Sequence, residues 1–116
     1  MGNKTKGHKG EELAAGYLAS NGYIILDRNY RAEGCEIDII ALSGDTVVFA
    51  EVKARIGAAY GLGREAVGFA KQKHIGIAAQ AYLQEKGWFE RPCRFDVLEV
   101  DFRAGMVEHI EGAFIL

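Results

Sequence analysis

Two short apolar runs each carry a carboxylate where a strand interior would ordinarily be apolar. Asp38 lies in Ile37-Asp38-Ile39-Ile40, and Glu51 closes Val47-Val48-Phe49-Ala50-Glu51, with Lys53 two residues further on. Both runs are β-rich, and Ser43-Gly44-Asp45 between them has hairpin chemistry. With Gly44-Asp45 as a two-residue turn, Ser43 faces Thr46, and the same register sets Asp38 opposite Glu51 and Glu36 opposite Lys53. Strict alternation puts all four on one face. A four-residue loop keeps this register, whereas a three-residue loop shifts it by one unless a bulge compensates. Two opposed carboxylates repel by up to about 1 kcal/mol in a sheet, and by more when buried. The pair must share a proton, pair with a neighbouring lysine, or hold a cation. Oxygen donors without Cys or His suit a hard ion, Mg²⁺ or Mn²⁺.

Lys53 would reach anything bound to such an ion. That combination serves phosphoryl chemistry: the ion polarises a phosphate oxygen and acidifies a water, while the ammonium stabilises charge in the transition state. Glu-x-Lys alone is what any solvated strand face looks like; an acid inside an isoleucine run is harder to explain as surface. A third carboxylate comes from residues 8–21, where Glu11 falls at the edge of the face made by Ala14, Tyr17 and Leu18 and Glu12 points away. Compensation of the helix dipole would suit either glutamate. Arg55, Arg64, Lys71 and Lys73 are candidate phosphate contacts, although charged faces are by default only solvated. Cys35 has no base nearby in sequence and reads as packing, His74 reads as a surface or boundary residue, and Gly61-Leu62-Gly63 does not complete a phosphate loop.

The elements that must position these residues are legible in the periodicity. Residues 8–21 form an amphipathic helix stopped by Asn21-Gly22, Tyr23 to Leu26 a short strand, and Glu36 to Leu42 with Thr46 to Ala54 the hairpin. Glycines 57, 61 and 63 mark a loop. Glu65 to Lys86 is helical, with a break near Gly68 and a face made by Ile75, Ala78, Ala79 and Tyr82. Arg94 to Val100 is a strand, Arg103-Ala104-Gly105 a turn, and Met106 to about Ile110 a last strand. The order α, β, β, β, α, β, β, without repeats or linkers, implies a single α/β domain over 1–116 with a central mixed sheet flanked by helices. Residues 1–7 are expected as a flexible N-terminal tail.

A chain of 116 residues, 49% hydrophobic and 26% charged, can bury a core without staples, so a metal here would be functional rather than structural. Cys35 and Cys93 make no CxxC pair, and His8, His74 and His109 are scattered, which excludes a zinc pattern. No apolar run approaches the length that spans a bilayer and no signal core opens the chain, so a cytoplasmic protein without a membrane partner is expected. The net charge of −2 argues against a general nucleic-acid coat. The acidic excess sits late, however: residues 1–75 carry ten basic and nine acidic side chains, the remainder four and seven.

Gly10-Glu11, Gly34-Cys35-Glu36-Ile37-Asp38, Glu51-Val52-Lys53-Ala54-Arg55, Lys71-Gln72, Arg94-Phe95-Asp96-Val97, and His109-Ile110 with Ala113-Phe114 resemble the YraN-like family of bacterial proteins. The likeness runs from about Gly7 to Phe114. That family is similar to the PD-(D/E)XK nuclease superfamily and to archaeal Holliday-junction resolvases, whose restriction-endonuclease-like α-β-β-β-α-β core agrees with the order above. The resemblance implies that Asp38 and Glu51 are metal ligands, Lys53 the catalytic lysine, Glu11 an auxiliary acid that completes the ligand set, and Gln72 a polar residue near the site. Ile37 stands where the superfamily has proline, as in the resembling family. Cys35 replaces the second glycine of Gly-Gly-Glu-Ile-Asp, so a positive φ there would require a different loop. The implied activity is a Mg²⁺- or Mn²⁺-dependent DNA endonuclease acting on branched or Holliday-junction DNA, for which a homodimer would match a two-fold substrate. The alternative is a non-catalytic nucleic-acid-binding or protein-interaction module on a nuclease scaffold.

Overall fold

The computed structural model describes residues 2–54 and 67–115, with side chains from residue 9 onward. Its elements are α1 (Gly2–Ser20), β1 (Ile24–Ala32), β2 (Cys35–Ser43), β3 (Thr46–Ala54), α2 (Phe69–Lys86), β4 (Cys93–Asp101) and β5 (Met106–Phe114). They form one five-stranded sheet in the order β1-β2-β3-β4-β5, antiparallel except for β3 with β4. That parallel pair needs a crossover, and α2 supplies it. The architecture is the α/β, restriction-endonuclease-like one expected, a mixed sheet with, among the described residues, one helix on each face.

The β2–β3 hairpin has the expected register, with Ser43 facing Thr46, Leu42 facing Val47 and Ile39 facing Ala50. Gly44 takes φ 59° in the turn, which a two-residue loop of the favoured hand requires. Between β1 and β2, Glu33 (φ 55°) and Gly34 (φ 73°) occupy the two left-handed positions and Ala32 faces Cys35. The cysteine at 35 is therefore accommodated without positive φ, and the replaced glycine needs no altered loop.

Two apolar layers hold the helices to the sheet. Ala14 and Leu18 of α1 pack on Ile39, Ala41, Ala50, Leu98 and Val100. On the other face Ile75, Ala78, Ala79, Tyr82 and Leu83 of α2 pack on Ile40, Val47, Phe49 and Val97. The heptad-like spacing of each helix places its apolar stripe on the sheet. α2 begins after Gly68 and ends at Gly87, whose φ of 69° lets its own N–H and that of Trp88 bond back to the carbonyls of Gln84 and Leu83.

Three boundaries differ from the sequence expectation. β1 runs to Ala32 rather than Leu26; its second half, Asp-Arg-Asn-Tyr-Arg-Ala, lacks alternation because it is an edge strand with a bulge between Ile25 and Asp27 and a left-handed Asn29 at φ 54°. β5 continues to Phe114 rather than Ile110, past a register shift and Gly112 at φ 59°. α1 starts at Gly2, so that residues 2–7, expected as a tail, continue the helix. The glycine loop at 57–63, the first residues of the expected second helix, and Arg55 and Arg64 lie outside the described residues.

Candidate functional site

Glu51 lies near the end of β3, on the side covered by α2, and only 5% of it is exposed. The β2–β3 ladder ends at Ile39–Ala50, one residue short of the Asp38–Glu51 position. There β2 turns its side chains. Ile39 packs with the α1 layer, yet Ile37, which alternation would put beside it, packs with the α2 layer. The single face expected for Glu36, Asp38, Glu51 and Lys53 is therefore interrupted at Asp38, and Glu36 pairs instead with Arg31 at 3.2 Å. The left-handed Asn29 on the adjacent strand lies in the same twisted segment. Asp38 Oδ2 accepts the Val52 N–H at 2.8 Å, so a side chain takes the donor left over where the ladder stops.

The two carboxyl groups lie within reach of a shared proton. Burial, and then the charge of Glu51, push Asp38 up to about 7, against the pull of the Val52 N–H and the Lys71 ammonium. Glu51 Oε1 is buried with no hydrogen-bond partner, while Oε2 has Lys71 Nζ at 3.5 Å and Lys53 Nζ at 4.0 Å. As ionised acceptors, Asp38 and Glu51 cannot donate to one another, so one buried oxygen stays uncompensated unless a proton or a cation enters.

Glu11 approaches from the opposite layer. α1 comes close to the sheet at Gly10, where an added Cβ would lie 3.3 Å from the Phe102 ring and 3.9 Å from Val52 Cγ1. The next residue is held by a hydrogen bond with Asn29 and lies 3.9 Å from Arg28 Nη2. Burial raises its pKa, the Asn29 bond opposes this, and the Asp38 charge raises it further. Glu12 turns outward to Arg28 at 2.7 Å. Among the described residues no three His, Cys, Asp or Glu side chains converge tightly enough to hold one ion. Asp38 and Glu51 are the pair that could ligate directly, with Glu11 set back from them. Such a donor set suits an ion that keeps several waters and takes one or two protein carboxylates, as Mg²⁺ does.

The structure thus gathers Asp38, Glu51, Lys53 and Lys71, with Glu11 adjoining. Gln72, the next residue along, donates from its Nε2 to the Val67 carbonyl at 2.9 Å, at the entry to α2. Lys73 faces outward, its ammonium 4.7 Å from the Phe69 ring centre. Residue patterning had grouped Lys71 with the outer phosphate contacts, because helix faces cannot be placed against a strand without the crossover geometry.

A second carboxylate network lies in the α1 layer and had been given no role. Asp96 is fully buried; Arg94 donates to both its oxygens at 2.8 and 2.9 Å, Gly112 N donates at 3.0 Å, and His109 Nε2 lies 2.6 Å away. Burial alone would raise the Asp96 pKa, but His109, Arg94 and the Gly112 N–H together bring it below the usual carboxylate range. Arg94 also donates to the Tyr23 hydroxyl at 2.8 Å, and Tyr17 and Tyr23 flank the His109 ring at 5.5 and 5.8 Å. The network ties β4 and β5 to α1 and to the start of β1. Its sequence signal was Arg94-x-Asp96, two opposite charges on a strand face that Leu98 and Val100 continue as apolar.

The model of UPF0102, an uncharacterised protein family, matches residues 10–100. The chain belongs to this family. UPF0102 proteins of Geobacter sulfurreducens and Chlorobium chlorochromatii are 46% and 49% identical to it, the alignments covering 98% and 93% of this chain and 91% and 89% of theirs. One from Clostridioides difficile is 43% identical over 98% of this chain and its own full length. UPF0102 is the YraN family that the sequence motifs resemble, and the matched span includes Glu11, Asp38, Glu51, Lys53 and Lys71.

Proposed function

We propose that this UPF0102 protein is a metal-dependent DNA endonuclease in which Asp38 and Glu51 hold Mg²⁺ or Mn²⁺. The observation that carries the reading is Glu51 Oε1, a buried acceptor without a donor beside a second carboxylate. Such a pair is costly to keep as structure alone and is relieved by a cation. When bound, a divalent ion would polarise a phosphate oxygen and lower the pKa of a water. Lys53, tethered two residues from Glu51, would place its ammonium against charge developing on the phosphate. Glu11 would orient water at the edge of the site, and Lys71, Lys73, Arg55 and Arg64 would contact the nucleic-acid backbone. Branched or four-way-junction DNA is the substrate proposed, with a homodimer matching its symmetry. Two free thiols, Cys35 and Cys93, fit a reducing cytoplasmic setting.

The net charge of −2 favours a second reading, a nuclease scaffold that binds without turnover. Incubation of labelled single-stranded, duplex, flap and four-way-junction DNA with Mg²⁺ or Mn²⁺ separates the two. Cleavage that disappears in Lys53→Ala supports the endonuclease. Cleavage that persists in that variant assigns the activity elsewhere, and binding without cleavage by the wild type favours the second reading.

A further inference from the structure

We infer that Lys71 is the resident counter-ion of Glu51, exchanged for a divalent cation when the site is loaded, so that its ammonium becomes a phosphate contact available only in the metal-bound protein. This rests on the metal reading of Asp38 and Glu51 given above, and adds to it a coupling between metal and substrate.

Lys71 Nζ is the nearer of the two ammonium groups to Glu51 Oε2, at 3.5 Å against 4.0 Å for Lys53, and its attraction extends to Asp38. The two lysines are held differently. Lys53 stands two residues from Glu51 on the same strand, and its ammonium is the more distant of the two. Lys71 comes from the first turn of α2, across the layer, and its side chain is 43% exposed. The pair is held at 3.5 Å and its ammonium end is open to water, which can solvate it when it departs, so the lysine can leave. It also compensates the pair incompletely, since Glu51 Oε1 keeps no partner. A doubly charged ion among these oxygens would attract both carboxylates and repel the nearby ammonium. Lysine and metal therefore compete for Glu51.

The exchange has a use. While Lys71 sits on Glu51, its charge is spent on the protein and unavailable to an anion. Once displaced, it remains on a flexible stem at the mouth of the site, able to reach a phosphate that approaches the ion. Metal and nucleic acid then bind with positive coupling, and the coupling is reciprocal. An empty protein would hold nucleic acid less tightly than a loaded one.

Mn²⁺ titration of the wild type, Lys71→Met and Lys86→Met tests the competition, and thermal unfolding of each checks its fold. Lys71→Met should bind Mn²⁺ more tightly, by roughly fivefold, because the competing charge is gone. Lys86→Met, which removes an ammonium lying over Tyr82 in the last turn of the same helix, should bind as the wild type does. The second measurement uses a labelled four-way-junction oligonucleotide in a Lys53→Ala background, which removes turnover. Mn²⁺ should increase its affinity there, and the increase should vanish in Lys53→Ala/Lys71→Met. Unchanged or weaker Mn²⁺ binding by Lys71→Met, or an increase that survives loss of Lys71, overturns the exchange while leaving the metal site standing. Failure of the wild type to bind Mn²⁺ overturns the metal reading, and the exchange with it.

Discussion

Asp38→Asn should make the metal-free protein more stable at pH 8. In the folded chain burial and the Glu51 charge raise Asp38 from 3.8 to about 7. A carboxyl whose folded pKa is raised contributes stability that is complete below the unfolded value and is lost as pH rises through the folded one, here between about 4 and 7. A shift of roughly three units corresponds to about 4 kcal/mol at the upper limit. Solvent and relaxation around a partly buried pair reduce that to about 2 kcal/mol. Asparagine keeps the volume, its Oδ1 can accept the Val52 N–H, and its Nδ2 can donate to Glu51 Oε1, which lacks a partner. The gain at pH 8 would raise Tm by roughly 8 °C for a domain of this size. Near pH 4 the two proteins should converge, since the wild-type aspartate is then protonated. Urea unfolding at both pH values, in chelator-treated buffer, measures the difference. An Asp38→Asn protein that is less stable than the wild type at pH 8 would refute the reasoning, because it would mean that the ionised carboxylate stabilises the fold.

Two further perturbations act away from the site. Asp96→Ala strands the Arg94 guanidinium and the Gly112 N–H, so it should cost roughly 3 kcal/mol, read as a fall in the urea midpoint with unchanged slope. Because the folded Asp96 pKa is lowered, its contribution is present above about 3.8 and is lost as pH falls below that, so the variant should show a shallower loss of stability in acid than the wild type. Gly87→Ala places a side chain at φ 69° at the end of α2 and should cost about 1 kcal/mol by the same measurement; an unchanged midpoint would mean that the cap contributes nothing.

The hairpin and the second helix were legible because turn chemistry and two periodicities agree along Ile37–Ala54 and Ile75–Tyr82. Asp38 and Glu51 could be paired from the Gly44-Asp45 turn alone. The reversal of side chains at Asp38 could not, since nothing in Glu36-Ile37-Asp38-Ile39 marks where a ladder stops and a side chain takes over the Val52 donor. Lys71 and Gln72 are adjacent in sequence, yet one reaches Glu51 and the other closes the entry to α2. A rotation of about 100° around the helix decides between them, and composition does not encode it. Arg94 and Asp96 share a strand, but His109 comes from the next strand and Tyr23 from the far end of the chain, and only the assembled sheet shows that they meet.

The most direct test of the carboxylate pair as a metal site is Mn²⁺ binding to the wild type and to Glu51→Gln, which keeps the volume and removes the charge. Saturating Mn²⁺ at about 100 times Kd should stabilise the wild type by about 3 kcal/mol against thermal unfolding, and Glu51→Gln should lose most of that gain. Equal stabilisation of both proteins, or none of the wild type, contradicts it.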